Sequence, residues 1–160
     1  MSTERVLDDA AWQFVSDART ATMATMAPDG RPRLVPICFV LASGDDPAER
    51  PLVYTPLDEK PKTVEDPRRL ARVRDLLVLP EVTLLVDRWS EDWEDLAWLR
   101  LYGAGELLEP EAREREEHRR AVAALEAKYP QYGSQALAGR PMIRIVIERA
   151  AGWGRIARDR

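Results

Sequence analysis

From Ala97 to Leu108 the chain alternates with a two-residue period. Ala97, Leu99, Leu101, Gly103, Gly105 and Leu107 are apolar or small, while the positions between them include Trp98, Arg100, Tyr102 and Glu106. Period two belongs to a β-strand, whose successive side chains point to opposite faces, so this segment predicts a long strand with one face in a core and the other meeting something polar. A strand of that kind needs neighbours. Ala21 to Met26 and Arg33 to Leu41 supply two of them, joined by Pro28-Asp29-Gly30, which combines a fixed φ, an Asx side chain and a permissive glycine in one tight hairpin turn. Pro36 lies inside the second of these strands and cannot donate to a ladder, so it marks an edge or a bulge.

The remaining segments fit around that frame. Leu7, Ala11, Phe14, Val15 and Ala18 fall at helical spacing behind Asp8 and Asp9, predicting a short first helix. Ser43 to Arg50 reads as an exposed loop before a strand at Leu52 to Thr55. Asp66-Pro67 is a cap and first-turn pair for a helix running to Leu77, with Leu70, Val73, Leu76 and Leu77 on one side and Arg68, Arg69, Arg72 and Arg74 around the rest. Val82 to Val86 is a strand, Arg88 to Asp95 an acidic loop with Trp89 and Trp93, and Pro110 opens a long helix ending near Lys128 and Tyr129. Met142 to Glu148 is the last clear strand, and Trp153-Gly154-Arg155-Ile156 a short further one. About six or seven strands joined partly by hairpins, with three helices between them, favour a mainly β, antiparallel barrel with flanking helices over a doubly wound parallel sheet.

Composition removes several classes of function. A chain of 160 residues is the size of one domain, here residues 1–160, and its net charge of −4 gives no general attraction to nucleic acid or to an anionic membrane, so any anion site must be local. The single cysteine, Cys38, and the single histidine, His118, exclude an intrachain disulfide, a multi-Cys/His metal site and a catalytic triad with a choice of histidines. His118 stands in a strongly charged helix segment and reads as a surface residue, and Cys38 as a small buried hydrophobe. The longest apolar run, Leu76 to Val86, is interrupted by Pro80 and Glu81 and is too short to span a bilayer. Acids and a tryptophan near the N-terminus break up any secretory signal, so a cytoplasmic protein without nucleic-acid or membrane partners is expected.

Ala21-Thr22-Met23-Ala24-Thr25, Asp29-Gly30, Arg33-Leu34-Val35-Pro36-Ile37, Tyr54-Thr55 and Lys60-Pro61-Lys62 occur in an order and spacing that resembles the pyridoxamine 5′-phosphate oxidase-like superfamily, and more closely its branch of oxidoreductases dependent on the deazaflavin coenzyme F420. The resemblance implies a split antiparallel β-barrel of the FMN-binding type, forming a homodimer with two cofactors in grooves between the subunits. It places Arg33, Leu34, Val35 and Pro36 along the flavin-type ring, Tyr54 and Thr55 near the ribityl chain and phosphate, and Lys60 and Lys62 on the phosphate. The lysines also read as solvated side chains beside Asp58 and Glu59. Two departures stand out: Glu65 where relatives often carry an asparagine, and a longer helix after the phosphate loop.

Arg68, Arg69 and Arg72 on that helix either hold the anionic tail of a deazaflavin or form a solvated face. Trp98, Arg100 and Tyr102 border the ring or are covered by a dimer partner, and Trp153 follows a family position as an aromatic wall. The implied function is an oxidoreductase in which reduced coenzyme F420 passes hydride to a small, electron-poor organic substrate. The alternatives are an FMN-dependent oxidoreductase of the pyridoxamine phosphate oxidase type, and a non-catalytic flavin-, deazaflavin- or haem-binding protein. No metal site and no catalytic side chain is legible.

Overall fold

The computed structural model describes residues 5–57 and 66–157. Its frame is one antiparallel sheet built from β1 (Ala21–Met26), β2 (Pro32–Ile37), β3 (Val40–Ala42), β4 (Leu52–Pro56), β5 (Glu81–Arg88), β6 (Ala97–Leu108) and β7 (Met142–Gly154). The seven strands lie in the order β2-β1-β5-β6-β7-β4-β3. β2 and β3 therefore occupy opposite edges, yet only Cys38 and Phe39 separate them. That link reaches about 10 Å at most, so the sheet must curl until its edges approach. The result is a split barrel with flanking helices.

The segment Arg33 to Leu41, which reads as one strand, is thus two strands with different neighbours. The break has a physical cause. The buried Phe39 turns both backbone groups away from either ladder, and the Tyr129 hydroxyl meets them: the Phe39 N–H donates to Tyr129 Oη at 3.1 Å, while that hydroxyl faces the Phe39 carbonyl at 3.1 Å and the Arg19 carbonyl at 2.8 Å. Pro36 sits in an edge strand, where its missing donor costs no ladder bond. At the other end of the chain the expectation of two short strands gives way to one, β7, with a bulge that places Ile147 opposite Gly103 and Arg149 opposite Tyr102. Glycine is required there, because a Cβ on residue 103 would collide with the Val146 carbonyl oxygen.

The barrel interior collects Met23, Ile37, Phe39, Val53, Leu84, Leu101 and Ile145 among others. Helix α1 (Asp9–Asp17), capped by the Asp8 carboxylate on the Ala11 N–H at 2.8 Å, adds Phe14 and Val15 to this core. The expected helix from Pro67 to Leu77 is divided. A 3-10 turn at Pro67–Arg69, capped by Asp66, ends at Leu70, whose extended backbone (ψ 140°) buries its side chain before α2 (Ala71–Val78) begins. The buried stripe of α2 is Val73, Asp75 and Leu76, whereas Leu77 is 73% exposed.

Helix α3 (Arg115–Lys128), preceded by a 3-10 turn, builds a second core on the outside of the sheet with Val40, Tyr54, Leu108 and Met142. Two residues near or in α3 depart from their sequence reading. His118 is buried at 2% exposure, its Nε2 2.6 Å from the Arg140 carbonyl, which makes it a satisfied core histidine. Cys38 is half-buried against the same second core.

Lys128, at the C-terminal end of α3, folds back over the Phe39 and Tyr129 rings, 4.2 and 5.4 Å from their centres, and its buried ammonium has no hydrogen-bond partner among the described residues. Burial, helped by the charge of Arg19, lowers its pKa to about 8. Since the folded value lies below the unfolded one, the penalty for a charged Lys128 is full below pH about 8 and fades as pH rises towards its unfolded value of about 10.4. Lys128→Met is therefore expected to raise stability at pH 7 by about 1 to 2 kcal/mol, after discounting for partial exposure. The gain should shrink at pH 10, as chemical denaturation at the two pH values would show. An equal gain at both would mean that the charge is not what Lys128 costs.

Candidate functional site

Strand register assembles an outer face on the half of the sheet away from α3. Leu34 lies beside Ala24, Thr83, Tyr102 and Arg149 in one row across β2, β1, β5, β6 and β7. Pro36, Thr22, Leu85, Arg100 and Ala151 form the next row, and Asp87, Trp98 and Trp153 the third. Alternate residues of the same strands, such as Met23, Leu84 and Leu101, fill the core. Leu34 is 65% and Trp153 54% exposed. Arg100 lies over the Trp98 ring at 4.5 Å and Arg149 over the Tyr102 ring at 3.8 Å, so two guanidinium groups sit on this aromatic surface at cation–π distance. Leu34, Pro36, Trp98, Arg100 and Trp153 are thereby brought onto one face, which Arg149 joins unforeseen. Its signal was available in the continued alternation Arg149, Ala151, Trp153, which the division of β7 into two strands obscured.

Arg33 and Val35 point the other way from β2. Val35 packs on the barrel core. The Arg33 Nε donates to Asp75 Oδ2 at 2.7 Å, and the Thr25 hydroxyl donates to the same oxygen at 2.8 Å. Burial works against the charged form of Asp75, but the bonds from Arg33 and Thr25 outweigh it and hold the carboxyl below its ordinary range; the bond to Asp75 in turn raises Arg33. Asp75 was missed by sequence reasoning. Its one signal is an acid inside the apolar stripe of an arginine-rich helix.

Tyr54 and Thr55 face opposite sides of β4. Thr55 is buried, and Tyr54 packs in the second core with its hydroxyl donating to Glu117 Oε1 at 2.7 Å. Burial, and then the bond to Glu117, push the Tyr54 phenol well above its usual value. Arg144 Nη1 donates to Glu117 Oε2 at 2.6 Å, and Arg144 also pairs with Glu106, so the outer row Tyr54, Arg144 and Glu106 is an ionic strip beneath α3. Within one chain Tyr54 does not meet the face that carries Trp98 and Trp153.

Lys60 and Lys62 lie outside the described residues. Arg68 makes a two-pronged contact with Glu109, at 3.0 and 2.7 Å, and Arg69 is exposed. A groove of about 720 Å³ runs between α1 and β5, lined by Asp9, Gln13, Phe14, Asp17 and Arg88, and none of the sequence-derived site residues reaches it. Among the described residues no three His, Cys, Asp or Glu side chains are grouped so as to hold a metal ion, and no helix is long and apolar enough to cross a membrane.

The profile of the pyridoxamine 5′-phosphate oxidase family matches residues 7–154. Among solved structures, a conserved hypothetical protein of Mycobacterium tuberculosis superimposes with a TM-score of 0.66 at 22% identity, over 94% of this chain and 87% of that one. The haem-storage protein HutZ of Vibrio cholerae gives 0.62 at 14% identity, over 94% of both chains. An FAD-binding protein of Mesorhizobium loti gives 0.61 at 19% identity, over 91% of this chain and 94% of that one. At such identities the likeness is one of fold. No curated protein matches the chain.

Proposed function

Because the chain belongs to the pyridoxamine 5′-phosphate oxidase family, we propose that it is an oxidoreductase that binds reduced coenzyme F420 and delivers hydride to a small, electron-poor organic molecule. The observation that carries this reading is the open outer face, where Leu34 and Trp153 expose apolar area and Arg100 and Arg149 bring positive charge over the Trp98 and Tyr102 rings. A flavin-type ring is flat, apolar on its faces and electron-rich at one edge, and such a surface suits it. The hydride chemistry belongs to the cofactor, which leaves the protein to bind, orient and exclude water.

In this reading two copies of the chain meet across the outer face and each ring lies in the seam, with Leu34 and Pro36 beneath it and Lys60 and Lys62 on the phosphate. Leaving so much aromatic surface in water is unfavourable for a lone barrel, which supports a homodimer. FMN in place of the deazaflavin would use the same face and the same lysines. Haem is disfavoured, because the only histidine is buried and tied to the Arg140 carbonyl and so offers no axial ligand.

The test is the absorbance spectrum of the purified protein, followed by titration with coenzyme F420 and with FMN. Tight binding of the deazaflavin is expected. Replacing Arg68, Arg69 and Arg72 together with glutamine should weaken the deazaflavin, whose oligoglutamate tail extends beyond the phosphate, with a larger deficit at low salt, and leave FMN almost unchanged. Parallel weakening of both cofactors would assign the arginines to general electrostatics and put FMN on an equal footing.

A further inference from the structure

Arg33 and Asp75 form an unequal pair. The Asp75 side chain is 2% exposed, while that of Arg33 remains 39% exposed. One oxygen, Asp75 Oδ2, takes both the Thr25 hydroxyl and the Arg33 Nε. The Arg33 terminal nitrogens have no hydrogen-bond partner among the described residues. A guanidinium held only through Nε keeps four terminal N–H groups for something else.

We propose that Asp75 is a positioning residue, which holds Arg33 by its Nε so that the terminal nitrogens are presented across the β2 edge to the electron-rich edge of a bound flavin-type ring. This rests on the cofactor reading above. Three observations support it. A pair with one partner this exposed adds little stability, so stability is a weak reason for burying a carboxylate among Val73 and Leu76. Both of its bonds go to β1 and β2, so α2 grips the strand that carries Leu34 and Pro36. Arginine has a large rotamer entropy, and holding it in the binding conformation before the ligand arrives removes an immobilisation cost of about 0.5 to 1.5 kcal/mol, equivalent to a roughly two- to twelvefold change in affinity.

The experiment is a double-mutant cycle on the full chain, reading cofactor affinity by fluorescence with coenzyme F420 and FMN well below the unfolding temperature. Asp75→Asn is expected to weaken the cofactor about three- to tenfold in the wild-type background and less than twofold in an Arg33→Gln background. Thr25→Val, which deletes only the hydroxyl bond, should give a smaller loss that is likewise absent without Arg33, and it supplies the cycle if Asp75→Asn does not fold. A lower melting temperature with unchanged affinity, or losses that add in full to that of Arg33→Gln, would make the cluster structural and overturn the inference while leaving the cofactor reading intact. Failure of the wild-type protein to bind either cofactor would overturn both.

Discussion

Tyr129→Phe is expected to lower the stability of the protein by about 3 kcal/mol, the largest effect foreseen for the loss of a single oxygen atom. The Tyr129 hydroxyl is the only polar side chain found on the Phe39 backbone among the described residues, accepting its N–H at 3.1 Å and facing the Phe39 and Arg19 carbonyls. Phenylalanine preserves the packing and the edge contact with Tyr132 but strands a buried N–H and at least one carbonyl. Each unsatisfied group costs on the order of 1 to 3 kcal/mol. For a chain of this size that corresponds to a fall in melting temperature of roughly 6 to 12 °C. The link between β2 and β3 is where the sheet changes edges, so the loss should also loosen β3 and its neighbour β4, which leads into Lys60 and Lys62. A fall of under 2 °C would show that water reaches the Phe39 backbone and that the hydroxyl is dispensable.

Lys62→Ala is expected to weaken cofactor binding about ten- to a hundredfold, the consequence of losing one charge-assisted phosphate contact of roughly 1.5 to 3 kcal/mol. Arg113→Ala, at an exposed site in the turn before α3, is the matched control and should leave affinity unchanged. Lys128, at the end of α3, is unsuitable as a control because its ammonium is buried over Phe39. Isothermal titration with either cofactor measures the difference. Equal affinities for Lys62→Ala and Arg113→Ala would remove the phosphate-loop reading and with it the polarity of the cofactor along the barrel.

What the sequence determined by itself is what depends on neighbours along the chain. The β1–β2 hairpin follows from Pro28-Asp29-Gly30, and β6 from its alternation, whose small and apolar positions from Ala97 to Gly105 are indeed the buried ones. Strand and helix periodicities are local, and a core face repeats them visibly. The open positions Trp98, Arg100 and Tyr102 were legible for the same reason, as the other phase of that alternation.

Tertiary structure decided where partners change. Nothing near Phe39 announces that a strand ends there, because the group that completes its backbone bonds is the hydroxyl of Tyr129, from the end of α3. Gly103 and Glu148 are likewise ordinary residues until β6 and β7 pair, when β7 continues past Glu148 as one bulged strand and brings the Val146 carbonyl against Gly103. The same holds for charge. His118 stands in a strongly charged helix segment and reads as a surface residue, and nothing local to Asp75 or Lys128 names a distant partner. All three are buried because hydrogen bonds from Arg33 and Thr25, a carbonyl of Arg140 and two aromatic rings receive them from distant parts of the chain. Burial of a polar group is tolerated only where such partners converge, and convergence of that kind is a property of the folded sheet and helices, invisible in any local stretch of sequence.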